Sequence, residues 1–246
     1  YSFYDVWAEL FRIPYKQMPL DENFRLKIDD YKGENGGIVF PNPNAPTGIY
    51  ESLDHVEEII KNNPDVIVIV DEAYIDFGGE TALPLIDKYD NLVVVRTFSK
   101  SRSMAGLRIG YAISNPELIK ALNDVKYSYN SYTMNRPSLV LGVESIHDDA
   151  YFREKVGQII ATRERFVKEI AELGFTCLPS SANFVFATHE SIPAKEIFAA
   201  AKENNIYVRY FDKPRIDNYL RISIGTDAEM DAFVAFLKGY VETKQN

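Results

Sequence analysis

TFSKSRSMAGLRIGYAI, residues 97–113, is the stretch from which the rest of the chain can be read. An apolar run at 92–95 enters it as a strand, small residues surround Ser99 and Lys100, and 107–113 reads as a second strand with Arg108 near its start. The pattern sets a lysine at the carboxyl end of a strand and an arginine eight residues beyond it. In an open α/β sheet, ligands bind in the crevice outside those strand ends. A lysine held there can shed its proton and form a Schiff base with an aldehyde. Taken singly, a Ser-Lys pair is also what a solvated surface loop offers, so the assignment depends on partners elsewhere in the chain.

Working upstream, VIVIV at 66–70 is a continuous apolar run, expected of a strand covered on both faces, with Asp71, Glu72, Ala73 and Tyr74 at its end. A carboxylate in that position is costly unless paired or hydrated; an isolated Asp there can equally cap a turn. Residues 38–40 form another apolar run, followed by PNPNAPTG at 41–48. Pro41, Pro43 and Pro46 each restrict their own φ and the residue before, which presents Asn44 on a stiff scaffold, although an ordinary proline-rich turn has the same composition. Ser52 caps a helix carrying Leu53, Val56, Ile59 and Ile60. Phe3, Val6, Trp7, Leu10 and Phe11 repeat at helical spacing, an aromatic stripe expected in the core, and Pro14 ends that helix. Two short strands are expected at 13–18 and 24–28, on either side of an acidic turn, before a flexible connection at 33–37.

Downstream, Asn115-Pro116 opens a helix to about residue 125, a tyrosine-rich connection suited to a pocket or a subunit contact spans 127–135, and a helix follows to near 146. A long helical pattern runs from about 150 to 173 and stops at Gly174, the left-handed cap position. A domain change is placed along it, giving a large domain at 1–149 and a smaller one at 150–246. The smaller unit reads as α+β, with strands at 175–178, 183–187, 206–209 and 219–224, a helix at 193–203, and a final helix carrying Met230, Phe233, Phe236, Leu237 and Tyr240.

Composition limits the function classes. A hydrophobic content of 46% over 246 residues is ample for a sizeable core. Lys and Arg number 27 against 36 Asp and Glu, a formal charge of -9, and no basic run could track a phosphate backbone, so no nucleic-acid partner is expected. The single cysteine, Cys177, excludes an internal disulfide, and three scattered histidines assemble no zinc set, so no metal is expected. No apolar run reaches ~18 residues and no export signal opens the chain, which makes a cytoplasmic, membrane-free location the expectation. The chain also has no initiator methionine, and Tyr1 stands directly before a helix, so the sequence is expected to begin inside a longer parent.

Pyridoxal phosphate chemistry asks a protein for an amine, an anion beside the ring nitrogen, donors to the ring oxygen, a phosphate site and a substrate anchor. Lys100 supplies the amine and then a base for proton movement. Asp71 supplies the anion that keeps the ring nitrogen protonated. Asn44 and Tyr74 are the candidate donors to the ring oxygen, and Ser99 and Arg108 the phosphate ligands. Arg221, a charge inside the strand-like run YLRISIGT, is better explained by the substrate α-carboxylate than by solvation, with an interdomain salt bridge as the alternative.

Together these pieces resemble the fold-type I aminotransferases and, within them, the histidinol-phosphate aminotransferases. The matching segments are PNPNAPTG, VIVDEAYIDF, RTFSKSRSMAGLRIGYAI, SANFVFA and VRYFD with YLRISIGT, in that order over most of the chain. The resemblance implies an α/β fold, a mixed, mostly parallel sheet flanked by helices, with a smaller α+β carboxyl-terminal domain. It implies the roles given above for Asn44, Asp71, Tyr74, Ser99, Lys100, Arg108 and Arg221. It adds Tyr1 as the aromatic stacked on the cofactor ring and Arg209 as a ligand for the substrate phosphate. The implied reaction is reversible amino transfer between L-histidinol phosphate and 2-oxoglutarate, a step of histidine biosynthesis, by a homodimer acting on a small amino donor and a 2-oxo acid. A related threonine-phosphate decarboxylase or aromatic aminotransferase carries similar residues around the lysine. Family members usually also carry an amino-terminal arm and a glycine-containing phosphate loop, both of which would fall before Tyr1; a catalytically silent fragment is therefore the alternative from another class.

Overall fold

Three apolar runs of the sequence lie side by side as parallel strands: β1 (Ile38–Pro41), β2 (Val68–Asp71) and β3 (Leu92–Thr97). A fourth strand, β4 (Gly110–Ile113), pairs antiparallel with β3, so the sheet is mixed and mostly parallel in the order β1-β2-β3-β4. The structure, a computed structural model, describes Tyr1 and residues 3–245.

Register explains why the motifs meet. Pro41 is level with Asp71, and Asp71 with Val95, so the segments leaving β1, β2 and β3 emerge at one end of the sheet. Gly110 of β4 stands opposite Thr97, which brings Arg108 to the same end. The expected strand at 107–113 is thus shorter than its apolar pattern: Ala105–Leu107 forms a 3-10 turn and Arg108 takes a left-handed conformation at φ 56 before β4 begins.

Helix α2 (Leu53–Lys61), capped by the Ser52 hydroxyl accepting from the His55 backbone N–H, covers one face of this sheet. Its Val56, Ile59 and Ile60 pack with Ile38, Phe40, Val68, Val70, Leu92 and Val94. Each such side chain, fully buried, contributes ~1.5–3 kcal/mol relative to exposure. The alternating residues tell a different story from the expectation of cover on both faces: Val39 is 41% exposed and Ile69 only partly buried, so that face is less covered than the one under α2.

The second sheet contains β5 (Phe175–Cys177), β6 (Phe184–His189), β7 (Arg209–Tyr210) and β8 (Leu220–Ser223), all antiparallel in the order β5-β6-β8-β7. Helices α5 (Asp149–Ala171), α6 (Ala194–Glu203) and α7 (Asp227–Gln245) close a core of Phe166, Ile170, Val185, Ile197, Leu220 and Leu237. Gly174 has φ +86, the conformation expected of a helix-ending glycine. In chain order, α3 (Pro116–Tyr129) and α4 (Arg136–His147) follow β4, each capped by an Asn side chain with Pro in the first turn.

Two expectations fail in the amino-terminal segment. The aromatic stripe of α1 (Phe3–Leu10) is not core: Phe3, Trp7 and Phe11 lie at the surface, and the half-buried residues are Tyr4, Asp5 and Ala8. Periodicity reports that a helix has an apolar face; it does not say what covers that face. Nor do 13–18 and 24–28 form strands. Pro14 removes a backbone donor from the first, while Asp21 Oδ1 accepts from the N–H groups of Asn23 and Arg25 and holds Phe24 at φ +59 beside the second.

The two sheets meet along a seam of backbone contacts. Ser181 N–H donates to Gly48 O at 2.8 Å. Arg163 of α5, buried to 6% exposure, donates to Phe77 O at 3.0 Å and Ala182 O at 2.8 Å. Tyr74 meets Phe184 edge-on with ring centroids 5.1 Å apart.

Candidate active site

Lys100 follows β3 through Phe98 and Ser99. The Thr97 hydroxyl shapes the turn by accepting from Ser99 N–H at 3.0 Å and donating toward Ser99 Oγ at 2.9 Å. The half-buried Lys100 extends over the ring of Tyr74, its Nζ 5.3 Å from the centroid. Among the described residues no carboxylate pairs with it. A cation on an aromatic face with no acid partner is not consumed by an ion pair.

Asp71 ends β2 one strand away. Its Oδ1 accepts from Ala73 N–H at 3.0 Å, and its Oδ2 accepts from the Tyr4 hydroxyl of α1 at 2.5 Å. Burial, and then the Asp71 charge, push the Tyr4 phenol far above its usual range, so it remains a donor. Tyr1 packs edge-on against Tyr4 with centroids 5.5 Å apart, which sets Tyr1 beside the same carboxylate.

A buried ionic network supports both strand ends. Glu72, 3% exposed, accepts from Ala82 N–H at 2.6 Å, Thr81 Oγ1 at 2.8 Å and Arg96 Nη2 at 2.8 Å. Burial opposes the charge on Arg96, but Glu72 and Asp76 outweigh it and hold the guanidinium above its usual range. Asp76 Oδ2 in turn accepts from the Ser101 hydroxyl at 2.5 Å, tying the residue after Lys100 to the turn that carries Tyr74. Three satisfied partners make a buried Glu tolerable where a bare one would not be.

Aromatic rings connect this cluster to the second sheet. Arg221 of β8 places its guanidinium 5.2 Å from the centroid of Phe184 and 5.8 Å from that of Phe211, and Phe184 is the ring that touches Tyr74. Among the described residues, Arg221 Nε is the buried side-chain nitrogen or oxygen without a hydrogen-bond partner. An unmet guanidinium N–H at such a position calls for an anionic acceptor. Arg209 is level with Arg221 across the β7–β8 pair and lies over Phe211 at 5.4 Å, with its side chain exposed.

The remaining candidates sit at the same end of the sheet without joining the cluster directly. Asn44 Nδ2 donates to Thr47 Oγ1 at 2.8 Å, inside its own loop. Arg108 is exposed and donates to Ala105 O at 2.9 Å. The structure therefore gathers Tyr1, Asp71, Tyr74 and Lys100, sets Arg221 one ring away, and leaves Asn44, Arg108 and Arg209 in local contacts. A cavity of about 930 Å³ lies beyond the 101–104 segment, between α4 and α5, and is not lined by Lys100.

A free lysine amine, a carboxylate one strand away and an orphaned guanidinium match the donor set of a pyridoxal phosphate enzyme. Comparison with known proteins gives the same answer. The family model described as aminotransferase class I and II matches residues 1–237. The histidinol-phosphate aminotransferase of Lactococcus lactis subsp. cremoris is 51% identical over 245 residues, covering 100% of this chain and 69% of the relative.

The chain belongs to the histidinol-phosphate aminotransferase family of class I and II aminotransferases.

As an aminotransferase it is a pyridoxal-phosphate-dependent enzyme by family. The crystal structure of the histidinol-phosphate aminotransferase from Clostridium acetobutylicum superposes with a TM-score of 0.91 at 25% identity, covering 99% of this chain and 76% of that one. The Sinorhizobium meliloti histidinol-phosphate aminotransferase, determined in complex with pyridoxal-5'-phosphate, shares the fold with a TM-score of 0.87 at 24% identity, over 99% of this chain and 68% of that one. The fold expected for an aminotransferase is thus present in both sheets. No helix among the described residues is long and apolar enough to cross a membrane, and no group of metal-ligating side chains occurs among them.

Sequence reasoning missed Tyr4 and the Glu72–Arg96–Asp76–Ser101 network. Tyr4 had a signal: it lies in the first turn of the helix that follows Tyr1, three residues after it. The network had none, because its members come from two separate segments, 72–76 and 96–101, that only strand register brings together.

Proposed function

We propose that the chain catalyses reversible amino transfer between L-histidinol phosphate and 2-oxoglutarate, yielding imidazole acetol phosphate and L-glutamate, as a cytoplasmic homodimer. The observation that carries this reading is the Lys100 amine, without an acid partner, over Tyr74 and one strand from Asp71. The 51% identity to a named histidinol-phosphate aminotransferase supports the substrate.

Pyridoxal phosphate, when bound, supplies the electron sink that makes the substrate Cα–H acidic. The side chains do the rest. Lys100 would bind the cofactor aldehyde and would then carry the proton exchanged at the substrate Cα. Asp71 would pair with the ring nitrogen, Tyr1 would stack on the ring, and Asn44 and Tyr74 would donate to the ring oxygen. Ser99 and Arg108 take the cofactor phosphate, Arg221 the α-carboxylate of glutamate and Arg209 the substrate phosphate. On this reading residues 1–149 form the cofactor domain and 150–246 a domain that carries the substrate-binding arginines to it.

A coupled assay tests the reaction. With pyridoxal phosphate present, L-histidinol phosphate and 2-oxoglutarate should yield glutamate in equal amount to substrate consumed. Release of carbon dioxide from threonine phosphate with no need of 2-oxoglutarate would contradict the transferase reading.

A further inference from the structure

We infer that Tyr4 is a positioning residue for the cofactor-facing carboxylate, orienting Asp71 so that its plane and free lone pairs meet the pyridine nitrogen. The inference rests on the reading of Asp71 as the partner of that nitrogen. Asp71 has two described donors, and they clamp opposite oxygens: Ala73 N–H holds Oδ1 at 3.0 Å and the Tyr4 hydroxyl holds Oδ2 at 2.5 Å. A carboxylate held at both oxygens cannot rotate about its terminal bond, yet each oxygen keeps a second lone pair for another donor. The Tyr4 contact crosses 67 positions of sequence, so it is a tertiary bond that requires α1 to be docked at the strand ends.

Docking is achieved with little apolar burial. The surface of α1 is mostly exposed, and Tyr4 is one of its three half-buried residues. Tyr1 and Trp7 flank the Tyr4 ring, with centroids at 5.5 and 6.2 Å. One hydrogen bond to a charged acceptor therefore couples the placement of the Tyr1 ring to the orientation of the Asp71 carboxylate. The same bond admits a contrary reading, in which the Tyr4 hydroxyl occupies the place of the ring nitrogen and leaves when cofactor binds. The two make opposite predictions.

The test is the dissociation constant for pyridoxal phosphate, without substrate, in the 246-residue chain and in Tyr4→Phe, Asp71→Asn and the double variant. Tyr4→Phe keeps the ring and removes only the donor. We expect it to weaken cofactor binding by ~10-fold, and by less than ~2-fold once Asp71 is already Asn, since a hydrogen bond to a charged acceptor is the interaction removed. A thermal melt of each cofactor-free variant separates global unfolding from local loss. Unchanged or tighter binding in Tyr4→Phe, with Asp71→Asn weakened, would overturn this inference alone. Unchanged binding in Asp71→Asn would overturn the cofactor reading and this inference with it. A crystal structure with pyridoxal phosphate bound is an independent measurement: Tyr4 Oη within hydrogen-bond distance of Asp71 is the expected result, and its displacement would refute the role.

Discussion

Arg221 shows how much a single side chain can reveal. A charge in a short strand, buried at Nε and surrounded by Phe184 and Phe211, has one N–H that the described residues leave unmet. Lysine cannot reproduce its planar fork, so Arg221→Lys should raise the KM for glutamate by ~10–100-fold with a smaller change in kcat. Steady-state kinetics at varied glutamate check this; an unchanged KM would return Arg221 to a structural role. Cys177 gives a second prediction at this scale. Burial pushes its thiol up from 9.0 to about 12, so the folded state retains the proton after the unfolded chain has begun to lose it. The contribution to stability is complete below pH 9 and is lost as pH rises toward 12, with a limiting slope of ~1.4 kcal/mol per pH unit. Urea midpoints measured at pH 8 and pH 10.5 should diverge more for the native sequence than for Cys177→Ala.

At the scale of elements, the parallel strands were legible because the chemistry of their ends is written beside them. Asp71 and Lys100 each follow a continuous apolar run, and register then makes them neighbours. Two helix starts were equally legible, since Ser52 and Asn115 each make the capping bond their residue type favours. What could not be read was cover. The stripe of α1 and the apolar residues of α4 have good helical spacing, yet most remain exposed. The seam was illegible for a related reason, because it depends on backbone groups. Gly48, at φ +81, faces Ser180 so closely that an added Cβ would lie 2.6 Å from its Oγ. Gly48→Ala should therefore destabilise the protein by ~1–3 kcal/mol and loosen the Asn44 loop against the second sheet, which a denaturant melt would detect.

The whole molecule joins a mostly parallel sheet to an antiparallel one, with the candidate site where the two face each other. The proposed homodimer has a physical basis in the exposed apolar residues of α1 and α4, among them Phe3, Trp7, Val140 and Val143. Sedimentation should show self-association that weakens when Trp7 and Val143 are changed to charged residues; a compact monomer at all concentrations would contradict it. The chain spans 69% of the length of its Lactococcus relative, so its own capacity to hold cofactor is the central question. The direct measurement is a visible absorption titration with pyridoxal phosphate, run beside Lys100→Ala. The account predicts a saturable band in the native sequence that glutamate bleaches and that Lys100→Ala never develops. The same band in both proteins, or none in either, would contradict the assignment of Lys100 as the cofactor-binding amine of this chain.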